Sequence, residues 1–208
     1  MFKNRTEAGQ LLGKVLQKYK NKNVVIFALP RGGVVLGFEV AKILESPLDI
    51  IVTRKVGHPD NPEYAICAVD DKNMLLCEQS ETRLVDQNWL KQEIKHQREE
   101  AKRRVDLYRG GRKPEVVSGK VAIIVDDGIA TGLSMRLAVR AIKRERPKKI
   151  IVAVPVASFS SIDALKAEGA DEIVVLTSPE EFKSAVGAHY LDFPQISDEE
   201  VIRLLLFL

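Results

Sequence analysis

Short apolar runs alternate along this chain with stripes of apolar residues at helical spacing, and the alternation predicts its elements. Ala8, Leu11, Leu12, Val15, Leu16 and Tyr19 fall on one helical face, with Asn4 and Glu7 placed as cap and N3 partner. VVIFAL (Val24 to Leu29), a helix from about Val34 to Leu44, and LDIIVT (Leu48 to Thr53) read as a βαβ unit. Ala65 to Val69 and Met74 to Cys77 flank DDKN, whose turn chemistry predicts a hairpin. With Asp71 and Lys72 as its two-residue loop, Cys67 faces Leu76, one step out of register with Cys77, so no disulfide is expected. Glu81 to Val105 predicts one long, solvated helix around the thin stripe of Val85, Trp89, Ala101 and Val105, and Arg109 to Ser118 reads as a loop.

Val121 to Val125 is an apolar strand, and after it come a helix from about Leu133 to Arg146, KIIVAVPV, a helix near Ile162 to Glu168, and EIVVLT. Asp198 is placed to cap a last amphipathic helix through Ile202, Leu205 and Leu206. Strands alternating with helices predict an α/β fold built on a parallel sheet with right-handed crossovers. Ligands of such sheets lie beyond the carboxyl ends of the strands.

Composition narrows the classes of function. A chain of 208 residues suits one α/β domain, read here as residues 1–208. With 45% hydrophobic and 29% charged residues it reads as soluble, and no apolar run approaches the ~20 residues of a membrane span. MFKNRTEAGQ lacks an apolar signal core, so a cytoplasmic location is expected. A formal net charge of +3 suits phosphorylated small molecules and makes nucleic acid an unlikely partner. Cys67 and Cys77 fit neither a metal spacing nor a disulfide framework and read as small core residues. A homo-oligomer is compatible with all of this.

The chemistry concentrates in VAIIVDDGIATG, Val121 to Gly132. A buried parallel strand ends at the mouth of a sheet, and there Asp126 and Asp127 offer carboxylate acceptors suited to a diol. Backbone N–H groups from Gly128 to Gly132 can converge on an anion at the start of the next helix, and Thr131 adds a hydroxyl donor. LPRGG, Leu29 to Gly33, repeats the strand-turn-helix geometry: Arg31 offers a fork of donors, while Gly32 and Gly33 allow close backbone approach.

VAIIVDDGIATG resembles the signature of type I phosphoribosyltransferases, which bind phosphoribosyl diphosphate (PRPP). The order of PRGG, RK-G and DDG-ATG is similar to that of bacterial and archaeal phosphoribosyltransferases of about this size. The resemblance implies that Gly128, Ile129, Ala130, Thr131 and Gly132 hold the 5′-phosphate and that Asp126 and Asp127 hold the ribose hydroxyls. It gives Arg31, Gly32 and Gly33 to a pyrophosphate loop that in this family often contains an unusual cis peptide. Arg54 and Lys55 would meet the same leaving group. Arg31, Lys55, Asp126 and Asp127 would then carry the chemistry, with Mg2+ bridging diphosphate oxygens. The segment from Val52 to Ile66, with Gly57, Pro59 and Pro62, resembles the mobile loop that closes over the family's reaction centre; a plain connection reads it equally well.

The resemblance further implies a Rossmann-like core, a hairpin-helix insertion at about 56–118 and a small C-terminal hood at about 178–208. Within the hood, FKSAVGAHYLDF resembles the purine branch, which makes Phe182, Tyr190 and Phe193 candidates to contact a nitrogenous base and Asp192 a candidate near the metal; core aromatics under a terminal helix are the other reading. Ala130 stands where the hypoxanthine-guanine branch usually carries an acid, which argues against that branch. A PRPP-responsive regulator is the other class this fold admits. The cations from Lys91 to Arg104 would serve it, but Glu93, Glu99 and Glu100 interleave them as on a solvated face.

Overall fold

The structure, a computed structural model, describes residues 1–183 and 185–207; Ser184, within the hood motif, and Leu208 lie outside. The elements in chain order are α1 (Arg5–Val15), β1 (Val24–Ala28), α2 (Gly32–Leu44), β2 (Leu48–Ile50), β3 (Thr53–His58), β4 (Asn61–Asp70), β5 (Leu75–Cys77), α3 (Gln79–Thr82) and α4 (Gln87–Arg109). They continue with β6 (Val121–Val125), α5 (Leu133–Arg144), β7 (Lys149–Val154), α6 (Phe159–Glu168), β8 (Glu172–Val175) and α7 (Asp198–Leu206). As the spacing predicts, α1 starts at Asn4, whose side chain accepts from the Glu7 N–H at 3.0 Å.

Five parallel strands form the central sheet in the order β2-β1-β6-β7-β8. Alternate residues of its inner strands serve opposite faces. Ile26, Ile123 and Ile151 pack with Leu12, Leu36, Tyr108 and Val201 from α1, α2, α4 and α7. Val25, Ile124 and Val152 pack with Met135, Val139 and Leu165 from α5 and α6. Both faces are therefore covered, which is why these strands read as continuous apolar runs.

The second sheet, β3-β4-β5, is antiparallel and revises four expectations. LDIIVT is not one strand: β2 ends at Ile50, and the chain leaves the core to begin β3 at Thr53. The segment read as a mobile loop or plain connection is itself the β3–β4 hairpin, with the register shifting around Gly57, where a Cβ would stand 2.2 Å from the Pro62 carbonyl oxygen. The β4–β5 turn holds three residues rather than two, because Asn73 takes a left-handed conformation (φ 67°) and the Asp70 N–H reaches the Met74 carbonyl at 3.4 Å. That extra residue moves the register by one, so Cys67 faces Cys77 and the two form a disulfide, with Cα atoms 4.0 Å apart. The two-residue loop, and with it the exclusion of a disulfide, is thereby corrected.

The helix expected over Glu81 to Val105 also divides. The short α3 ends at Thr82, and Asp86 caps a new helix, α4, by accepting from the Trp89 N–H at 2.7 Å; α4 then runs on to Arg109, where Gly110 turns left-handed. The second sheet packs Val56, Ile66 and Val69 on Val85 and Leu90 beside α4, and Ala65, Ala68 and Leu76 on Leu133 and Leu137 of α5. It stands beside the carboxyl edge of the central sheet, rooted directly after β2.

Candidate functional site

β1 and β6 are adjacent and in register from Val24↔Val121 to Ala28↔Val125, so their following turns emerge side by side. The turns mesh through glycines. A Cβ on Gly32 would stand 2.0 Å from Asp127 Oδ2, and one on Gly33 would stand 2.9 Å from both Asp126 Oδ1 and the Val125 carbonyl oxygen. Any side chain at Gly32 therefore displaces a carboxylate. The Pro30–Arg31 peptide bond immediately before Gly32 is cis.

Asp126 and Asp127 sit half-buried at this junction, and the Asp127 N–H donates to Asp126 Oδ1 at 2.8 Å. Burial, and then the neighbouring Asp127 charge, hold the Asp126 carboxyl well above the usual carboxylate range. Burial raises Asp127 as well, against the pull of Arg5. Two adjacent acids with raised pKa values favour a ligand that brings hydroxyl donors or a cation.

Arg5 is the functional residue that sequence reasoning missed. From the first turn of α1 its Nε donates to Asp127 Oδ2 at 2.8 Å, its Nη1 donates to the Pro194 carbonyl at 2.6 Å, and its guanidinium lies 3.6 Å from the centroid of the Phe193 ring. Nothing local marks such a residue, because its partners lie more than a hundred positions away. Tyr190 completes the brace by donating its hydroxyl to the Asp127 carbonyl oxygen at 2.6 Å.

Gly128 to Gly132 cross the mouth of the sheet against the segment after β7. The Ile129 N–H bonds the Val156 carbonyl at 2.9 Å, the Ser158 hydroxyl donates to the Ala130 carbonyl at 3.0 Å, and Gly132 (φ 80°) turns the chain into α5. Ala130 and Thr131 remain exposed, leaving the Thr131 hydroxyl open to a ligand.

On the other side Arg31 points toward α7, its Nη1 3.5 Å from Asp198 Oδ1. Asp198 also accepts from the Tyr108 hydroxyl at 2.6 Å. It is not the cap of α7: Ser197 is, accepting from the Glu200 N–H at 3.2 Å, which frees Asp198 to face the cations. Arg54 belongs to the same cluster. Burial, and then the guanidiniums of Arg104 and Arg31, lower its pKa, while its Nε donates to Gln97 Oε1 at 3.0 Å. Lys55, its neighbour on the pleat, takes the opposite face of β3 and pairs with Glu63 at 2.6 Å. Arg54 thus lies within range of the Arg31 charge, on the face of β3 that Lys55 does not share.

The hood candidates separate in the same way. Tyr190 is buried between Phe2 and Phe193, with centroids 5.6 and 4.8 Å away, so its ring has no open face for a base. Phe193 lies under Arg5, and Phe182 stacks on His189 at 5.5 Å. Asp192 is exposed, with its backbone N–H bonded to the Lys3 carbonyl at 3.0 Å. Tyr190 and Phe193 thus brace Asp127, directly and through Arg5, while Phe182 stands apart on His189.

Two glycine-rich turns with paired acids and nearby arginines, at the carboxyl edge of one parallel sheet, form the kind of site that suits an anionic sugar-type ligand. The family model for the phosphoribosyl transferase domain matches residues 3–192, and the chain belongs to that family. It is 38% identical over 207 residues to two Mycobacterium tuberculosis proteins, from strains CDC 1551 / Oshkosh and H37Rv, each named "Putative phosphoribosyl transferase". That alignment covers 99% of this chain and 46% of each relative, so the chain spans about half the length of the curated relatives it matches. The crystal structure of TT1426 from Thermus thermophilus is similar over 100% of this chain and 98% of that one, with 42% identity and a TM-score of 0.81.

Proposed function

We propose that this protein transfers the 5-phosphoribosyl group of PRPP to a small nitrogenous base and releases pyrophosphate, or catalyses the reverse reaction. The observation that carries the reading is the meshing of the two turns, with Asp127 against Gly32 and Asp126 against Gly33. It sets the groups suited to a ribose diol beside those suited to a diphosphate. In this reading the backbone from Gly128 to Gly132, with Thr131, holds the 5′-phosphate, and Asp126 and Asp127 accept from the ribose hydroxyls. Arg31, Gly32 and Gly33 hold the diphosphate, with Arg54 beside them; Lys55, paired with Glu63 on the other face of β3, takes no part in this reading.

Charge sets the rate. As the anomeric bond breaks, the sugar becomes oxocarbenium-like and negative charge grows on the departing diphosphate. Contacts from Arg31 and Arg54 that strengthen during that step lower the barrier. Among the described residues no group of three His, Cys, Asp or Glu could form a metal cage, and the two adjacent carboxylates are hard oxygen donors. That set fits Mg2+ held chiefly by ligand oxygens and water, with Asp126 and Asp127 at its edge. Bound there, Mg2+ would neutralise diphosphate charge.

The direct test incubates the protein with PRPP, Mg2+ and a panel of purines, pyrimidines and small nitrogen heterocycles while following pyrophosphate release. Release that depends on one class of base is expected. PRPP binding without release for any base would instead leave a PRPP-responsive regulator, and no PRPP binding at all would overturn both.

A further inference from the structure

A second cavity lies at the outer edge of the central sheet, away from the turns described above. It has a volume of about 190 Å³, with apolar walls that include Phe27, Ile51, Val105, Val117, Ala141 and Ile142. None of Arg31 to Gly33, Arg54, Lys55 or Asp126 to Gly132 lines it. Along α5, Ile142 stands roughly 14 Å beyond Leu133, where the helix leaves the phosphate turn, at about 1.5 Å per residue.

Several charged groups of this cavity are paired. Asp49 accepts from Arg109 Nε and Nη2 at 3.3 and 3.2 Å, from the Glu115 N–H at 2.9 Å and from the Ile50 N–H at 2.8 Å. Asp70 accepts from the Lys72 and Met74 N–H groups at 3.0 and 2.7 Å. Lys72 closes one side by pairing with Glu145 at 2.9 Å. Asp71, at the turn of the β4–β5 hairpin, lines the cavity half-buried and makes no hydrogen bond or ion pair with another side chain among the described residues. Burial, and then the neighbouring Asp70, raise its pKa. Its own backbone N–H is the donor that works against that rise; a half-buried carboxylate so sparsely bonded beside an apolar slot is costly, and a ligand that brings further N–H groups relieves the cost.

Size and chemistry then select the occupant. An apolar cavity of ~150 Å³ accommodates benzene, so this one takes a six-membered ring with a small substituent. Two neighbouring N–H donors would meet the two oxygens of Asp71 side by side. The geometry points to a second ligand site, formed by Asp71 over the apolar slot between α4 and α5, for a compact nitrogen heterocycle bearing an amino group. The inference is independent of the transfer reading. Val52 lines the slot and Arg54 follows it by two residues, so an occupant would press on the root of β3.

The test uses the whole chain with methyl-labelled Val, Ala and Ile, followed by NMR during titration with 2-aminopyridine. Saturable shifts of the Val105, Ala141 and Ile142 methyls in the millimolar range are expected. Asp71→Asn should weaken binding by up to about fivefold, the upper end for one exposed ion pair. Ala141→Leu should abolish binding by filling the slot, with Ala141→Val in its place if thermal melting shows that the larger side chain unfolds the protein. Benzoate, of similar shape and opposite charge, should not bind. No saturable shift, equal affinity in Asp71→Asn, binding that survives the filling variant, or benzoate binding as tightly would each overturn the site. The readout is not turnover, so failure here and failure of the transfer reading are distinguishable.

Discussion

A carboxylate packed against a bare α-carbon leaves no room for even one methyl group, and that is the position of Asp127 against Gly32. Gly32→Ala should therefore displace Asp127 or the turn itself by about an ångström and lower turnover on the order of 100-fold, with only a small change in melting temperature. Steady-state pyrophosphate release and thermal melting together check this, and unchanged turnover would mean that the two turns do not act on one ligand. Arg5 presents the converse case. It is buried, pairs with Asp127 and packs on Phe193, so Arg5→Ala leaves a carboxylate uncompensated. Losing one partner of a buried pair costs about 3–5 kcal/mol; because burial already raises Asp127 and protonation can relieve it, the lower end of about 3 kcal/mol is expected in urea unfolding at neutral pH. A loss below ~1 kcal/mol would place Arg5 among the screened surface pairs instead. The glycines and acids were legible in the sequence because local chemistry requires them where a backbone approaches an anion. Arg5 was not, because a lone arginine in a first helical turn is compatible with any exposed position.

At the scale of elements, periodicity revealed the parallel strands and most helices, since burial on both faces leaves an unbroken apolar run. It could not reveal where β2 ends and β3 begins, because Ile51 and Val52 continue the apolar run while the chain changes sheets. Nor could it fix the β4–β5 register, which one left-handed Asn73 decides and on which the Cys67–Cys77 bond depends. The same limit hid the role of α7. Ser197 rather than Asp198 caps that helix, and Asp198 reaches Arg31 and Tyr108 instead. A diphosphate arriving at Arg31 must compete with this carboxylate. Asp198→Asn should tighten the binding of inorganic pyrophosphate up to about fivefold, the equivalent of ~1 kcal/mol for a partly exposed pair. Calorimetry showing weaker binding would mean that Asp198 orients Arg31 for the ligand rather than occupying its place.

Across the whole molecule the two edges of the central sheet serve different purposes. The carboxyl edge carries the paired acids and arginines, which burial and like charges make costly. The amino edge carries a network that offsets such strain: Glu172 at the start of β8 accepts from Lys18 at 2.7 Å, from the Tyr19 hydroxyl at 2.5 Å and from Lys149 at 2.6 Å, tying the segment after α1 to β7 and β8. These hydrogen bonds, led by that from Lys149, hold Glu172 from 4.5 down to about 2. A depressed carboxylate stabilises the fold fully above its unfolded value and loses that contribution as pH falls toward its folded value. The window therefore runs from about 4.5 down to about 2. Allowing for screening of partly exposed charges, Glu172→Gln should cost about 1 kcal/mol in urea unfolding at neutral pH. The difference from the unsubstituted protein should shrink by about half near pH 3, since protonation there already removes part of the contribution. Turnover of the folded variant should be unchanged, because no residue of the network reaches the carboxyl edge. A stability difference independent of pH would show that the packing of Tyr19, and not the charge of Glu172, holds this edge together.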